Sequence, residues 1–380
     1  MARPLAAVRV LDASGFISGP LAATMLADLG ADVIKVEPES GDRLARWGRV
    51  VDGRGIVYTN CNRGKGVVTL DLKSDAARAK FFDLAGDADV LITNWRSGVA
   101  ERLGLAEPLA GLPSLVWVRI TGWGPDGPLA DQPAFDGSLQ ARTGLAWSQG
   151  DEEPNLMRMF IADKITAMFA VQAIAAALYE RHSTGSGGII EVPMLDALAY
   201  FNFADLLQNR TLLSDPPASA RNEQIEANRP VRTLDGWIVI SPVGGRQLKA
   251  TLEAVGRPEA IADLRASTSQ HDLTTRLVEL CSRACASRTT AEWLATFDQY
   301  DVPAAPVLDI DGHLADPQVA HNRIYDIVND PLLGDIRRAR YPAYFGDDDP
   351  RGTATAVHRL AADEIAWPER AATASGLRRS

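Results

Sequence analysis

Cysteine is scarce in this 380-residue chain: Cys61, Cys281 and Cys285 are all there are, none in a CxxC pair, and an odd number cannot pair completely. That excludes a disulfide framework, argues against a structural zinc site and fits a reducing compartment, so a cytoplasmic location is expected. Histidine is nearly as rare. His182, His271, His313, His321 and His358 are scattered with no HExxH or HxH spacing, so no metal centre is expected. Basic charge is short as well: 39 Lys and Arg against 49 Asp and Glu leave a net charge of -10. Without a broad basic surface to displace counterions, nucleic acid is not an expected partner, and an anionic ligand needs a local basic pocket. Long apolar runs are missing too. The longest, residues 165–179, falls below the roughly 20 residues of a membrane span and follows Asp163 and Lys164, so it reads as a buried core helix and no membrane partner is expected. The opening MARPLAAVRVLD runs into a strand-like alternation and contains no secretory apolar segment.

What is present suits a soluble globular protein: 46% hydrophobic and 23% charged residues supply a core of ordinary size. The first 125 residues alternate β-like runs (8–12, 32–36, 67–71, 89–93 and 115–121) with helical spacing at 21–29 and a helix opening on Ser74 as N-cap. Such alternation predicts an α/β fold, a parallel sheet covered by helices in a Rossmann-like large domain. Helices follow over 163–181 and 195–208, separated by a strand at 189–192. The polar stretch 213–230 reads as a linker. The expected organisation is a large domain over 1–212, the linker, a smaller α/β domain over 231–325, and a C-terminal segment, 326–380, returning to the large domain.

Three constellations bear on chemistry. Gly15-Phe-Ile-Ser-Gly-Pro20 follows the first strand and precedes a helix, where backbone amides suit a phosphate or carbonyl oxygen. It is not GxGxxG, so the dinucleotide fingerprint is absent, and a loop of this kind is more often only a connection. The second is Asn62-Arg-Gly-Lys65 with Asn94-Trp-Arg-Ser-Gly98 and Arg102. Clustered cations beside a Trp can hold the phosphates and base of a nucleotide-like ligand, although any single charged residue is more often a solvated one. Lys65 stands out because the chain has six lysines in all. The third is Asp163 at the head of an apolar helix. Its neighbours alone favour an N-cap; the same position would also keep a carboxylate nucleophile ionised through the helix dipole.

The order of these pieces along the chain resembles the class III CoA-transferase family, which includes formyl-CoA transferase, carnitine CoA-transferase and α-methylacyl-CoA racemase. The matching stretches are 10–12 with Gly19-Pro20, 26–38, 62–65, 70–73, 88–90, Asn94, 101–104, 122–128, Asp163, 176–182 and 184–187. Residues 233–236, 302–306 and 315–319 resemble the family's second-domain signatures. Carried over position by position, the resemblance implies that Asp163 is the covalent nucleophile. It implies coenzyme A contacts at Ile17, Ser18, Asn62, Arg63, Gly64, Lys65, Asn94, Trp95, Arg96, Arg102, Thr121, Gly122 and Trp123.

The function so implied is transfer of coenzyme A from an acyl-CoA to a free carboxylic acid through aspartyl anhydride and aspartyl-CoA thioester intermediates, with no permanently bound cofactor. The resemblance also implies an interlocked homodimer. Its racemase branch needs a histidine where Phe135 stands here, and no histidine precedes His182, which favours transfer over racemisation. An acyl-CoA racemase or isomerase, a CoA-binding homologue without activity and, last, a nicotinamide dehydrogenase are the competing readings. The chain departs from the family at Pro38, where formyl-CoA transferase has an arginine, at 220–230 in place of a Gly-rich flap, and at 347–353 near the C-terminus.

Overall fold

A computed structural model describes residues 3–150, 152–207, 210–214, 227–345, 355–361 and 365–369. Residues 1–204 with 323–380 form one compact unit and 205–322 a second. Most of the expected linker, most of the 220–230 departure and all of the 347–353 departure lie outside the described residues.

The larger unit runs β1 (Arg9–Ala13), α1 (Ser18–Asp28), β2 (Asp32–Glu37), a short hairpin of β3 (Val50–Val51) and β4 (Arg54–Gly55), α2 (Ile56–Asn62), β5 (Lys65–Thr69), α3 (Asp75–Gly86), β6 (Val90–Thr93), α4 (Val99–Arg102), α5 (Ala106–Ala110), β7 (Val116–Thr121), α6 (Asp136–Arg142), α7 (Leu145–Ser148), α8 (Ile161–Thr184), β8 (Gly188–Pro193) and α9 (Met194–Leu206). Its sheet has seven parallel strands: a two-residue strand His358–Arg359, then β5, β2, β1, β6, β7 and β8.

Both sheet faces are covered, so successive side chains are buried on opposite sides. Val10, Val33, Ile92 and Val118 belong to a core shared with α1, α8 and α9, whereas Leu11, Ile34, Leu91 and Trp117 belong to one shared with α3 and α5. Helix α3 starts where expected, with Ser74 Oγ accepting from the Ala77 amide at 3.2 Å. Strands β1 and β6 are neighbours from which the chain winds in opposite directions, the switch point where open α/β sheets hold ligands beyond the strands' carboxyl ends.

Two expectations about α8 need correcting. The helix is 24 residues long, enough by length and composition to cross a membrane, yet 39% of its apolar window is buried within the chain. The buried residues, Ala162, Asp163, Ile165, Thr166, Ala167, Ala170 and Ile174, lie mostly along one side at helical spacing, so α8 packs by one face and is not buried all round. Asp163 is not the N-cap. The helix begins two residues earlier, and the amide of Ala162 donates to Asp136 Oδ2 at 2.7 Å, so a carboxylate from α6 terminates the helix instead.

The smaller unit wraps helices Gly244–Ala254, Gln270–Cys285 and Thr290–Gln299 around a three-stranded antiparallel sheet of Val231–Arg232, Trp237–Ile240 and Ala304–Pro306. Its core gathers Ile238, Leu252, Leu277, Cys281 and Phe297. A reciprocal cap opens the last of these helices: Thr289 Oγ1 accepts from the Glu292 amide while Glu292 accepts from the Thr289 amide.

Candidate active site

The loop between β1 and α1 is clamped from four sides. Asp12 Oδ1 accepts from the Ser14 amide at 3.0 Å, Lys35 Nζ donates to the Ser14 carbonyl at 2.7 Å, and Asp42 Oδ1 accepts from the Phe16 amide at 3.4 Å. Asn94 pairs with Gly15 in both directions, accepting from its amide at 2.9 Å and donating to its carbonyl at 2.7 Å. Gly19 cannot carry a side chain here, because a Cβ would lie 2.3 Å from Ser14 Oγ. Phe16 is held in the left-handed region at φ 61°, a conformation that costs a non-glycine residue about 1–2 kcal/mol. The clamps over-determine this backbone, as strained residues at functional sites require.

Behind the loop lies a buried ion cluster. Lys65 Nζ, with no exposed side-chain surface, donates to Asp12 Oδ2 at 2.8 Å, the Pro20 carbonyl at 2.7 Å, Asn62 Oδ1 at 2.9 Å and the Cys61 carbonyl at 3.1 Å. Lys35, equally buried, pairs with Asp42 at 3.2 Å. The expectation that Lys65 and Asn62 hold phosphates is therefore corrected: both are sealed inside, with Lys65 fully engaged by the chain. Arg63 pairs with Asp28, and Gly64 donates its amide to the Thr355 carbonyl at 2.8 Å.

The loop's far end, Ser18, meets Asp163. The polar groups of Ser18 lie close enough to the Asp163 carboxylate to favour its charged form, so the start of α1 and the first turn of α8 converge on one charge. Burial nevertheless dominates and, with the Asp136 carboxylate nearby, pushes Asp163 up to about 7; the polar groups of Ser18 offset only part of this. Asp136 is fixed by the Ala162 amide and by Gln140, which also accepts from the Met157 amide at 2.8 Å.

Asp163 opens into a chamber of about 500 Å³. Phe16 and Phe135 meet edge to face at 5.7 Å on its wall, and Trp47 and Phe160 lie 5.1 Å apart on another part of it. Thr121 Oγ1 also lines the chamber, buried and with no hydrogen-bond partner among the described residues. Gly122 lets the Phe135 segment close over the end of β7, since a Cβ there would fall 2.2 Å from that of Ala134. A second cavity of about 420 Å³ shares Phe16, Arg43, Asn94 and Trp95 with the first and extends past Pro38, Leu72 and Lys73. Together they make an elongated cleft beyond the carboxyl ends of β1, β2 and β6.

Of the residues expected at the site, Ile17, Ser18, Asn94, Trp95, Arg96, Thr121 and Gly122 line the chamber with Asp163. Asn62, Arg63, Gly64, Lys65, Arg102 and Trp123 line neither cavity. Trp123 packs instead against the core on the α1 and α8 side, beneath Arg142 at 5.8 Å. Arg43, Trp47 and Phe160 were not anticipated. The turn Gly41-Asp-Arg43 was their only local signal: Asp42 accepts from the Leu44 amide at 2.9 Å and so caps the turn carrying Arg43. None of the five histidines lines the chamber.

A doubly wound parallel sheet that directs a buried carboxylate into a cleft at its switch point defines an α/β ligand-binding enzyme. Comparison with known proteins makes this specific: the model of CoA-transferase family III matches residues 5–356, and the chain belongs to that family. It is 32% identical over 327 residues to the acetyl-CoA:oxalate CoA-transferase of Acetobacter aceti, covering 83% of this chain and 84% of that protein. The succinyl-CoA:glutarate CoA-transferase of Mus musculus is 30% identical over 88% of this chain and 79% of its own length. Among solved structures, a CAIB/BAIF family protein from Brucella suis superposes with a TM-score of 0.81 at 27% identity, covering 95% of this chain and 97% of that one. The enzyme class is thereby that of a class III CoA-transferase, acting on CoA thioesters.

Proposed function

We propose that the protein moves coenzyme A from an acyl-CoA to a free carboxylate with Asp163 as covalent nucleophile. The observation that carries this reading is a buried carboxylate lining a chamber that continues, past Phe16, Arg43, Asn94 and Trp95, into a second cavity. The thioester reaches Asp163 with its CoA moiety along the cleft, the base beside Pro38, Leu72 and Lys73 and the phosphates near Arg43 and Arg96.

The Asp163 carboxylate attacks the acyl carbon and the C–S bond breaks, giving a mixed anhydride and CoA thiolate. The thiolate attacks the aspartyl carbonyl of the anhydride, which releases the first carboxylate and leaves an aspartyl-CoA thioester. The acceptor carboxylate attacks that thioester to form a new anhydride and thiolate. Attack of the thiolate on the new acyl carbon then delivers the product thioester and restores the Asp163 carboxylate. No net proton is consumed. The amide and hydroxyl of Ser18, which lie near the resting carboxylate, would stabilise the oxyanion formed at the aspartyl carbon.

The free, buried thiols of Cys61, Cys281 and Cys285 fit a cytoplasmic setting. Exposed aromatic side chains on α8 and α9, Tyr179, Tyr200, Phe201 and Phe203, support a homodimer, which sedimentation at micromolar concentration would test. Intact-protein mass spectrometry with a panel of acyl-CoAs, followed by peptide mapping, tests the chemistry. An acyl or CoA adduct on the peptide containing Asp163 supports it, and turnover without any adduct in rapidly quenched samples refutes it.

A further inference from the structure

The chamber has an uneven distribution of charge. At its buried end stand two carboxylates, Asp163 and Asp136, and the cations lining it are Arg43 and Arg96, both exposed. Arg43 also lines the second cavity, and Arg96 follows Trp95, which does the same, so both guanidiniums stand near the path that the transferase reading gives to the CoA phosphates. The remaining wall is two aromatic pairs, Phe16 with Phe135 and Trp47 with Phe160, joined by Leu44, Ile120 and Met194. Its neutral polar side chains, such as Ser97 and Gln132, offer hydrogen bonds but no charge.

A diacid bound through one carboxyl at Asp163 would bring its second carboxylate into this chamber. It would face Asp136, lie against aromatic rings, and have to compete with the CoA phosphates for its cation. An unpaired charge transferred to such surroundings loses far more than the apolar contacts return. An uncharged aryl or alkyl group gains on every wall, since aromatic rings at 5–6 Å present both faces and edges to it. Resting on the transferase reading above, we propose that the acyl groups this enzyme transfers are apolar and uncharged, those of aromatic or medium-chain aliphatic monocarboxylic acids, with Phe135 and Trp47 as the residues that select them.

Identity exchange tests this without knowledge of the natural acid pair. Each acyl-CoA is incubated with its own carboxyl-labelled free acid, and the steps through Asp163 transfer label into the thioester with atoms balanced, because donor and acceptor are the same acid. Phenylacetyl-CoA and hexanoyl-CoA are expected to exchange with kcat/KM about a hundredfold or more above succinyl-CoA and glutaryl-CoA. Equal or faster exchange of the two diacids overturns the proposal and leaves the transferase reading intact. Exchange with none of the four, together with no Asp163 adduct, overturns both.

Phe135→Arg adds a cation to the apolar wall at a side chain more than half exposed, where folding is little affected. It should raise succinyl exchange and bring the preference to within about tenfold. Trp47→Ala should raise KM for phenylacetate more than it lowers kcat. A preference unchanged in both variants overturns the assignment of these two side chains.

Discussion

Asp12 and Asp163 are both nearly sealed from water, about one loop apart, and their surroundings push them in opposite directions. Burial works to raise both. At Asp12 it is outweighed by Lys35 and Lys65, which hold the carboxyl below its usual range. At Asp163 burial prevails, because the charge acting on it is another carboxylate and the polar groups of Ser18 offset only part of the cost. The ion cluster shapes the loop; the chamber leaves its carboxylate under-stabilised, as the proposed nucleophile would be. Charges of one type thus divide between structure and chemistry according to how completely their partners are supplied.

The comparison is broken most severely at the reactive member. Asp163→Ala should lower kcat by about a thousandfold or more while CoA affinity, measured by calorimetry, stays close to that of the parent. A residual rate within tenfold of the parent would remove the covalent role.

At the structural member the effect falls on stability. Lys65→Met leaves Asp12 buried without its principal partner and should cost about 3–5 kcal/mol in denaturant unfolding at pH 7. A loss below about 1 kcal/mol would mean that the cluster is not the loop's support.

A third prediction sets the two sites in opposition through pH. Asp163 carries a raised value in the folded state, so between about pH 4 and 7 the folded protein binds a proton that the unfolded chain does not. This contribution to stability is present at low pH and declines as pH rises, by up to about 4 kcal/mol at pH 7 and above. Asp163→Asn should therefore gain on the parent in melting temperature between pH 5 and pH 8. In the parent, kcat/KM should rise with pH through an acid limb near 7. A stability difference that does not vary with pH would contradict this account.

The smallest effects lie at the mouth. Arg96→Ala should raise KM for acyl-CoA about tenfold, whereas Arg102→Ala, outside both cavities, should change it by about twofold or less in steady-state assays.

What was legible in the sequence is what depends on neighbours along the chain. The alternation at 8–36 and 67–121 announced the parallel sheet because each strand is buried on both faces, and Ser74 announced its helix because a cap acts within three residues. Asp163 was found by a resemblance covering most of the chain, not by its own neighbours, and its reading as a cap failed because the helix's first turn is capped through Ala162 by Asp136, 26 residues before that alanine. Lys65 was misread for the same reason: its countercharge is 53 residues upstream. A charged residue beside a strand looks the same in sequence whether it meets a phosphate or a buried aspartate. The helix Gln270–Cys285 was overlooked despite its cap, Ser269, whose hydroxyl accepts from the Asp272 amide, and its apolar residues Leu273, Leu277 and Cys281 at fourfold spacing.

The short strand His358–Arg359 completes the sheet by pairing with Gly66 and Val67, nearly three hundred residues earlier, and Leu360 covers Gly66 so closely that a Cβ there would meet it at 2.9 Å. Translation delivers this strand after every other described strand of the sheet. While the intervening chain is being synthesised, the outer edge of β5 offers its free amides and carbonyls to any other extended segment. Loss of these two residues would reopen that border, a greater aggregation hazard than so small a loss of mass suggests.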